Sequence, residues 1–254
     1  MQNLYLKKRN RSLQEHSELS LKFFSPENVN NIQNLIRYNV YIKTDNYNFI
    51  IDTGPDLRQQ VLRNNINKLD FVLYTHAHRD HVSGIDELRS FNFIQKKPIT
   101  AFGNYELVKQ LKKDYSYIFS GTKYPGLPQI NLEIINDKFQ CFDIKINPIE
   151  VYHHKLKVLG YRIDDFTYIT DAKTIPDKEV KKIDNSKILV INCLQIEQHI
   201  SHFNLEEVLK LIEKVNVEKV YLTHISHNLG KNDVVNKLLP KNVSLAYDNL
   251  SFSL

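Results

Sequence analysis

Short apolar runs alternate with amphipathic stretches along most of this chain. Between Arg37 and Thr44, and again from Asn48 to Asp52, β-prone residues cluster on either side of Asp45-Asn46, which predicts two strands joined by a turn. Pro55 to Asn64 reads as a short helix, and Phe71-Val72-Leu73-Tyr74 as a buried strand. Apolar positions at helical spacing predict helices over Asp86–Phe93 and Tyr105–Lys112. From Ile130 onward strands dominate, at Leu132–Ile135, Phe142–Ile146, Val151–Tyr152, Val158–Ile163, Phe166–Ile169 and Lys187–Ile191. Leu205–Val215 follows as an amphipathic helix, with Asn204 as N-cap and Glu207 as its capping-box partner. Val220–Leu222, Val243–Ala246 and Ser251–Leu254 complete the strands. Residues 1–34 are polar and irregular, with weak periodicity. Strands interleaved with helices over the whole length predict one α/β domain spanning residues 1–254.

Composition narrows the class only slightly. At 42% hydrophobic and 25% charged the chain is of ordinary globular make-up. The apolar run Lys187–Leu194 is far too short to span a bilayer, and the first ten residues turn basic before an apolar signal core could form. A cytoplasmic protein with no membrane partner is therefore expected. Cys141 and Cys193 form no CxxC pair, so reduced, partly buried thiols are expected. A net charge of +5 suits a polyanionic partner, but the basic residues are spread along the chain rather than gathered in one patch.

The concentrated chemistry lies in Thr75-His76-Ala77-His78-Arg79-Asp80-His81, directly after the Phe71–Tyr74 strand. Alternation along an extended chain points His76 and His78 to one side. Three imidazoles and a carboxylate are the donors that borderline divalent metals prefer. Packed together without a metal, each of these polar groups would need its own partner on leaving water.

This His-x-His-x-Asp-His run resembles the signature of the metallo-β-lactamase superfamily. Ile50–Arg58, with Asp52-Thr53-Gly54, precedes it, and Gly84–Arg89 follows. Later come His153, Gly160–Ile163, Tyr168–Asp171, Ser201-His202 and Leu222–His227. In this order, over roughly residues 36–254, the motifs resemble the branch containing phosphoribosyl 1,2-cyclic phosphate phosphodiesterase, a relative of the tRNA 3′-end nucleases.

The resemblance implies an α/β fold, a four-layer αββα sandwich, and two divalent metal ions, Zn²⁺ or Mn²⁺. It implies that His76, His78 and His153 hold one ion, that Asp80, His81 and His224 hold the other, and that Asp171 bridges them. Spacing alone does not separate His153 from His154. His202 matches the position of a non-ligand catalytic histidine, and an imidazolium there would protonate a leaving oxygen. Asp80 could accept a proton while ligating a metal. Asp52 is expected to accept hydrogen bonds from the ligand loop, Gly54 to permit a tight turn, Asp86 and Arg89 to pair on a helix, and His199 and His227 to stay peripheral.

The expected activity is that of a metal-dependent phosphodiesterase on a small cyclic or nucleotide-like phosphate ester. Two alternatives stand beside it. One is a ribonuclease trimming RNA 3′ ends, with the basic, Tyr-rich stretch 109–124 touching RNA. The other is a non-catalytic binding protein of the same fold. A homodimer is expected by family analogy. The branch usually starts with a strand, a Gly-rich loop and zinc-binding cysteines. Residues 1–35 have neither loop nor cysteines, and Leu4-Tyr5-Leu6 is the only remnant strand expected there. A separate structural zinc is therefore not expected.

Overall fold

The computed structural model describes residues 20–23, 39–121, 124–247 and 250–254. The remnant strand expected at Leu4–Leu6 lies outside the described residues. The described chain divides into two compact units, one built from residues 20–23, 39–135 and 250–254, the other from 136–247.

The first unit carries β1 (Ser20–Phe23), β2 (Val40–Lys43), β3 (Asn48–Ile51), β4 (Phe71–Leu73), β5 (Ile99–Gly103) and β6 (Ile130–Ile134). These six, with strand Ser251–Ser253 beside β1, form a seven-stranded sheet in sequence order. The strand at Ser20–Phe23 falls inside the stretch expected to be irregular; its partners β2 and Ser251–Ser253 pair with it on both sides and supply the regularity its own sequence lacks. The sheet is antiparallel up to β3 and parallel from β3 to β6. The parallel half needs crossovers, and helices provide them: α1 (Leu57–Arg63), the motif helix α2 (Arg79–Val82), α3 (Leu88–Gln95), α4 (Tyr105–Asp114) and the short α5 (Ser116–Phe119). Leu57, Leu88, Phe91, Leu107 and Leu111 bury their side chains with Ile50, Val72, Tyr74 and Ile99 of the sheet. Each such burial contributes roughly 1.5–3 kcal/mol. Asp86 and Arg89 do not pair as expected: Asp86 accepts from the Tyr117 hydroxyl at 2.6 Å, while Arg89 is exposed.

The second unit repeats the plan. Strands β7 (Phe139–Cys141), β8 (Ile144–His153), β9 (Leu156–Ile163) and β10 (Phe166–Ile169) form an antiparallel meander. Parallel strands β11 (Ser186–Asn192), β12 (Val217–Thr223) and β13 (Val243–Leu245) continue it. Helices α6 (Asp177–Ile183), α7 (Leu205–Ile212) and α8 (Asn232–Val235) make the crossovers. Val208 and Leu211 of α7 and Ile183 of α6 pack on Ile149, Ile169, Leu189, Ile191 and Leu222. The capping box expected at α7 is present, with the Glu207 N–H on Asn204 Oδ1 and the Asn204 N–H on Glu207 Oε2, both at 3.0 Å.

The two strands expected at Phe142–Ile146 and Val151–Tyr152 are one. Pro148 lies within it without breaking it, because pairing with β7 ends at Ile146 and no ladder bond is asked of the N–H that proline lacks. Beyond it the same edge is covered: the Glu150 N–H donates to Glu179 Oε2 (2.9 Å) and the Tyr152 N–H to Thr174 O (2.9 Å). Phe142 itself sits in the connecting turn at φ 56°. Among the described residues no helix is long and apolar enough to cross a membrane.

Candidate metal centre

In open α/β sheets, chemistry gathers beyond the carboxyl ends of the parallel strands. The expected donors lie there in each unit. In the first, β4 ends at Leu73 and the chain runs through Thr75 and His76 into α2, whose first turn holds Asp80 and His81. His76 and His81 are buried, Asp80 is half-buried and His78 is exposed. The His76 ring lies 4.5 Å from that of His78 and 4.3 Å from that of His81, centroid to centroid.

Asp52 organises this loop. It is fully buried, just past β3, with φ 65°. Its Oδ1 accepts the Thr75 N–H (2.8 Å), and its Oδ2 accepts the Thr75 hydroxyl (2.8 Å) and His81 Nδ1–H (2.7 Å). Burial raises the Asp52 carboxyl pKa, and His81 beside it and the Thr75 hydrogen bonds pull it back. The expectation that Asp52 accepts from the ligand loop matches this geometry. The Thr75 hydroxyl has one proton, spent on Asp52, so His76 Nδ1, 3.0 Å away, is the donor to it. Both His76 and His81 thereby keep Nε2 as the lone-pair nitrogen.

Backbone clamps reinforce the arrangement, with the Thr53 N–H on His81 O (2.7 Å) and the Gly84 N–H on Thr53 O (2.7 Å). Gly54 accepts the Leu57 N–H in the turn expected there (3.1 Å), and it is close approach that requires glycine: a Cβ there would meet Asp80 O at 2.7 Å.

In the second unit β8 ends at His153, β10 is followed by Asp171, β12 by His224, and His202 precedes α7. The structure separates the neighbours that spacing could not. His154 is exposed at φ 55°, whereas His153 donates Nδ1–H to Ser201 O at 2.8 Å and so also presents Nε2 as its lone-pair nitrogen. His153, Asp171 and His202 each offer a donor atom within 4.8 Å of the others. Asp171 is buried at φ 53°. Its Oδ2 takes the Thr170 hydroxyl (2.7 Å), and its Oδ1 faces His202 Nε2 (2.9 Å) and His224 Nε2 (3.1 Å). His224 has φ 54°, and its ring stacks on that of His202 at 4.9 Å.

Two residues here were not anticipated as part of the site. Asn192, at the end of β11, accepts the Ala172 N–H (2.7 Å) and donates to Ala172 O (2.9 Å), pinning the residue after Asp171. A buried asparagine closing an apolar strand is a sequence signal of such a clamp. His199, expected to be peripheral, has its Nδ1 3.2 Å from that of His202. Burial, with His202, Lys173 and His224 nearby, holds the His199 imidazole below its usual range. His227 lies exposed in a single helical turn.

The donor chemistry fits divalent metal. Three histidines direct Nδ1–H to oxygen acceptors, the pattern that sets Nε2 for ligation, and carboxylates accompany them in both units. Two mixed sheets with histidine and aspartate side chains gathered beyond their strand ends make an α/β fold equipped to bind metal. A model of the beta-lactamase superfamily domain matches residues 47–225, and the chain belongs to that superfamily, with the metallo-β-lactamase fold expected from its sequence.

The crystal structure of a new diphosphatase from the PhnP family superposes with a TM-score of 0.84 at 28% identity, covering 93% of this chain and 97% of that one. The octanoyltransferase of Porphyromonas gingivalis is 32% identical over 204 residues, which are 79% of this chain. This chain spans only 41% of that relative's length. Ribonuclease Z of Staphylococcus epidermidis is 23% identical over 247 residues, covering 73% of this chain and 80% of the relative.

Proposed function

We propose that this protein is a dinuclear metal-dependent phosphodiesterase acting on a small cyclic or nucleotide-like phosphate ester. In this reading His76, His78 and His153 hold one ion, Asp80, His81 and His224 the other, and Asp171 serves both; the ions are Zn²⁺ or Mn²⁺. When bound, such ions supply Lewis acidity and a low-pKa water for attack on phosphorus. The remaining work falls to the chain. Asp52 and Thr75 keep the ligand histidines in one tautomer, Asp80 accepts a proton, and His202 neutralises phosphate charge and protonates the leaving oxygen.

The observation that carries the reading is His202. It is a buried imidazole set with Nε2 against Asp171, in a loop held by the α7 capping box. Metal binding alone has no need of a proton donor, but a phosphodiester has a leaving oxygen that does. The likeness to a PhnP-family diphosphatase over nearly the whole chain supports the same substrate class. The octanoyltransferase name describes a protein of which this chain matches the smaller part, and supports no acyl-transfer reading here.

The test is metal content with hydrolysis of bis(p-nitrophenyl) phosphate. The expected result is about two equivalents of zinc or manganese and turnover lost in His76→Ala. His202→Ala should keep its metal yet lose roughly 10²- to 10⁴-fold in kcat. A folded, metal-free protein would refute the reading, and metal without turnover would favour the binding-protein alternative. The ribonuclease reading is favoured by one observation, the ribonuclease Z similarity. It requires cleavage of a 3′-extended tRNA precursor, with RNA affinity falling steeply as salt rises.

A further inference from the structure

We propose that His199 is a positioning residue that fixes the ring of His202, an inference that rests on the phosphodiesterase reading. His199 and His202 lie in the segment between β11 and α7, with ring centroids 5.0 Å apart and planes tilted by 50°. The Ser201 N–H donates to His199 Nδ1 at 3.3 Å, which makes that nitrogen an acceptor. His202 Nδ1 lies 3.2 Å from the same atom. Two imidazole nitrogens this close form a hydrogen bond only when one carries the proton. With His199 Nδ1 accepting, His202 Nδ1–H is the donor in this contact, as His202 Nε2–H is in the contact with Asp171 Oδ1, since a carboxylate only accepts. The Ser201 hydroxyl, 3.3 Å from His199 Nδ1 and 3.1 Å from His202 Nδ1, belongs to the same knot.

The consequence is orientational. A half-turn of the His202 ring about its Cβ–Cγ bond would carry Nδ1 away from His199 and lose this bond. The rings of His153 (4.4 Å) and His224 (4.9 Å) flank His202 but are apolar contacts in that respect, indifferent to the half-turn. The same half-turn would take Nε2 from Asp171 Oδ1, so His199 and Asp171 hold one flip state from the two ends of the ring, His199 through Nδ1 and Asp171 through Nε2. His199 itself touches no reacting atom in this scheme.

The experiment compares the zinc-loaded wild type with His199→Phe, which keeps a ring and removes the acceptor, and with His199→Asn, whose Oδ1 can accept from His202 Nδ1. Two quantities are read: kcat and KM on bis(p-nitrophenyl) phosphate, and the nitrogen-15 imidazole signals of His202. The expected outcome for His199→Phe is a kcat lower by about 10- to 100-fold with KM nearly unchanged, and loss of the hydrogen-bonded Nδ1–H signal of His202. His199→Asn should recover most of both. An unchanged kcat in His199→Phe overturns the proposal, as does a lost kcat with the His202 signals intact. If the phenylalanine variant does not fold, His199→Ala removes the same acceptor. If the wild type turns over no phosphodiester, the phosphodiesterase reading falls, while the nitrogen spectra still decide whether His199 orients His202.

Discussion

Replacing Asp52 by asparagine separates the shape of the ligand loop from its proton bookkeeping. Asparagine fills the same volume and tolerates the left-handed backbone at φ 65°. Its amide oxygen can still accept the Thr75 N–H now bound at 2.8 Å. Its amide nitrogen then takes the place of Oδ2, where the Thr75 hydroxyl and His81 Nδ1–H both donate. The hydroxyl can turn over and accept. His81 can face an N–H only by giving up its Nδ1 proton, and the neutral ring then carries it on Nε2, the nitrogen a metal would need. One charge-assisted hydrogen bond becomes neutral and two are reversed, a loss of about 2–4 kcal/mol in stability. Against the roughly 5–15 kcal/mol that holds a typical domain together, the variant still folds. Zinc affinity should fall about 10- to 100-fold, as when the group orienting a metal-bound histidine is removed. Competition with a chromophoric chelator measures the affinity, and urea unfolding of the metal-free protein measures the stability. Zinc affinity within about threefold of wild type in a stably folded Asp52→Asn would refute the tautomer argument.

Three further outcomes follow from the geometry. Asn192→Ala strands the Ala172 N–H and carbonyl and should destabilise the metal-free protein by about 2–3 kcal/mol in urea, weakening zinc binding as the Asp171 turn loosens. A Cβ on Gly84 would lie 2.3 Å from Gly54 O, so Gly84→Ala should cost about 3 kcal/mol, read by calorimetry as a Tm lowered by roughly 6–12 °C. Burial pushes the Cys193 thiol up to about 12, leaving almost no thiolate at about pH 8; peptide mapping should find Cys193 modified by an aromatic disulfide only under denaturing conditions, and labelling of the native protein would contradict its burial.

What could be read from the sequence was whatever was locally dense. Three imidazoles and a carboxylate within six residues announce metal ligands, and Asn204 with Glu207 announces a helix start, because both signals lie within one or two turns of chain. Strand β5 escaped notice: Ile99–Gly103 is flanked by Pro98 and ends in glycine, and only its parallel pairing with β4 and β6 makes it regular. Helix α6, with the sequence Asp-Lys-Glu-Val-Lys-Lys-Ile, offers one apolar residue besides its last, and owes its place to Ile183 in the core and Glu179 on the β8 edge. The same limit governed the site. His153 and His154 differ in nothing a sequence shows; the left-handed turn at His154 and the Ser201 carbonyl distinguish them. Asn192 and His199 act on partners 20 and 3 residues away through hydrogen bonds that no motif records.

Backbone strain ties these observations together. Asp52, Asp171 and His224 each stand just past a strand and each adopts a positive φ, near 65°, 53° and 54°. Glycine would take that conformation without strain, and side chains held in sparsely populated regions cost of order 1–3 kcal/mol each. Such a cost persists only where the surroundings over-determine it. They do so here, since Asp52 accepts three hydrogen bonds, Asp171 is clamped by Asn192 through its neighbour, and β12, which leads into His224, lies between two parallel partners. A strand that simply ran on would point alternate side chains to opposite faces. The left-handed residue breaks that alternation at the strand's end and turns the donor away from the sheet. The apolar cores of both units are what make three such turns tolerable, and so the burial of Ile50, Leu73, Ile169 and Leu222 is a condition for the donors standing where they do.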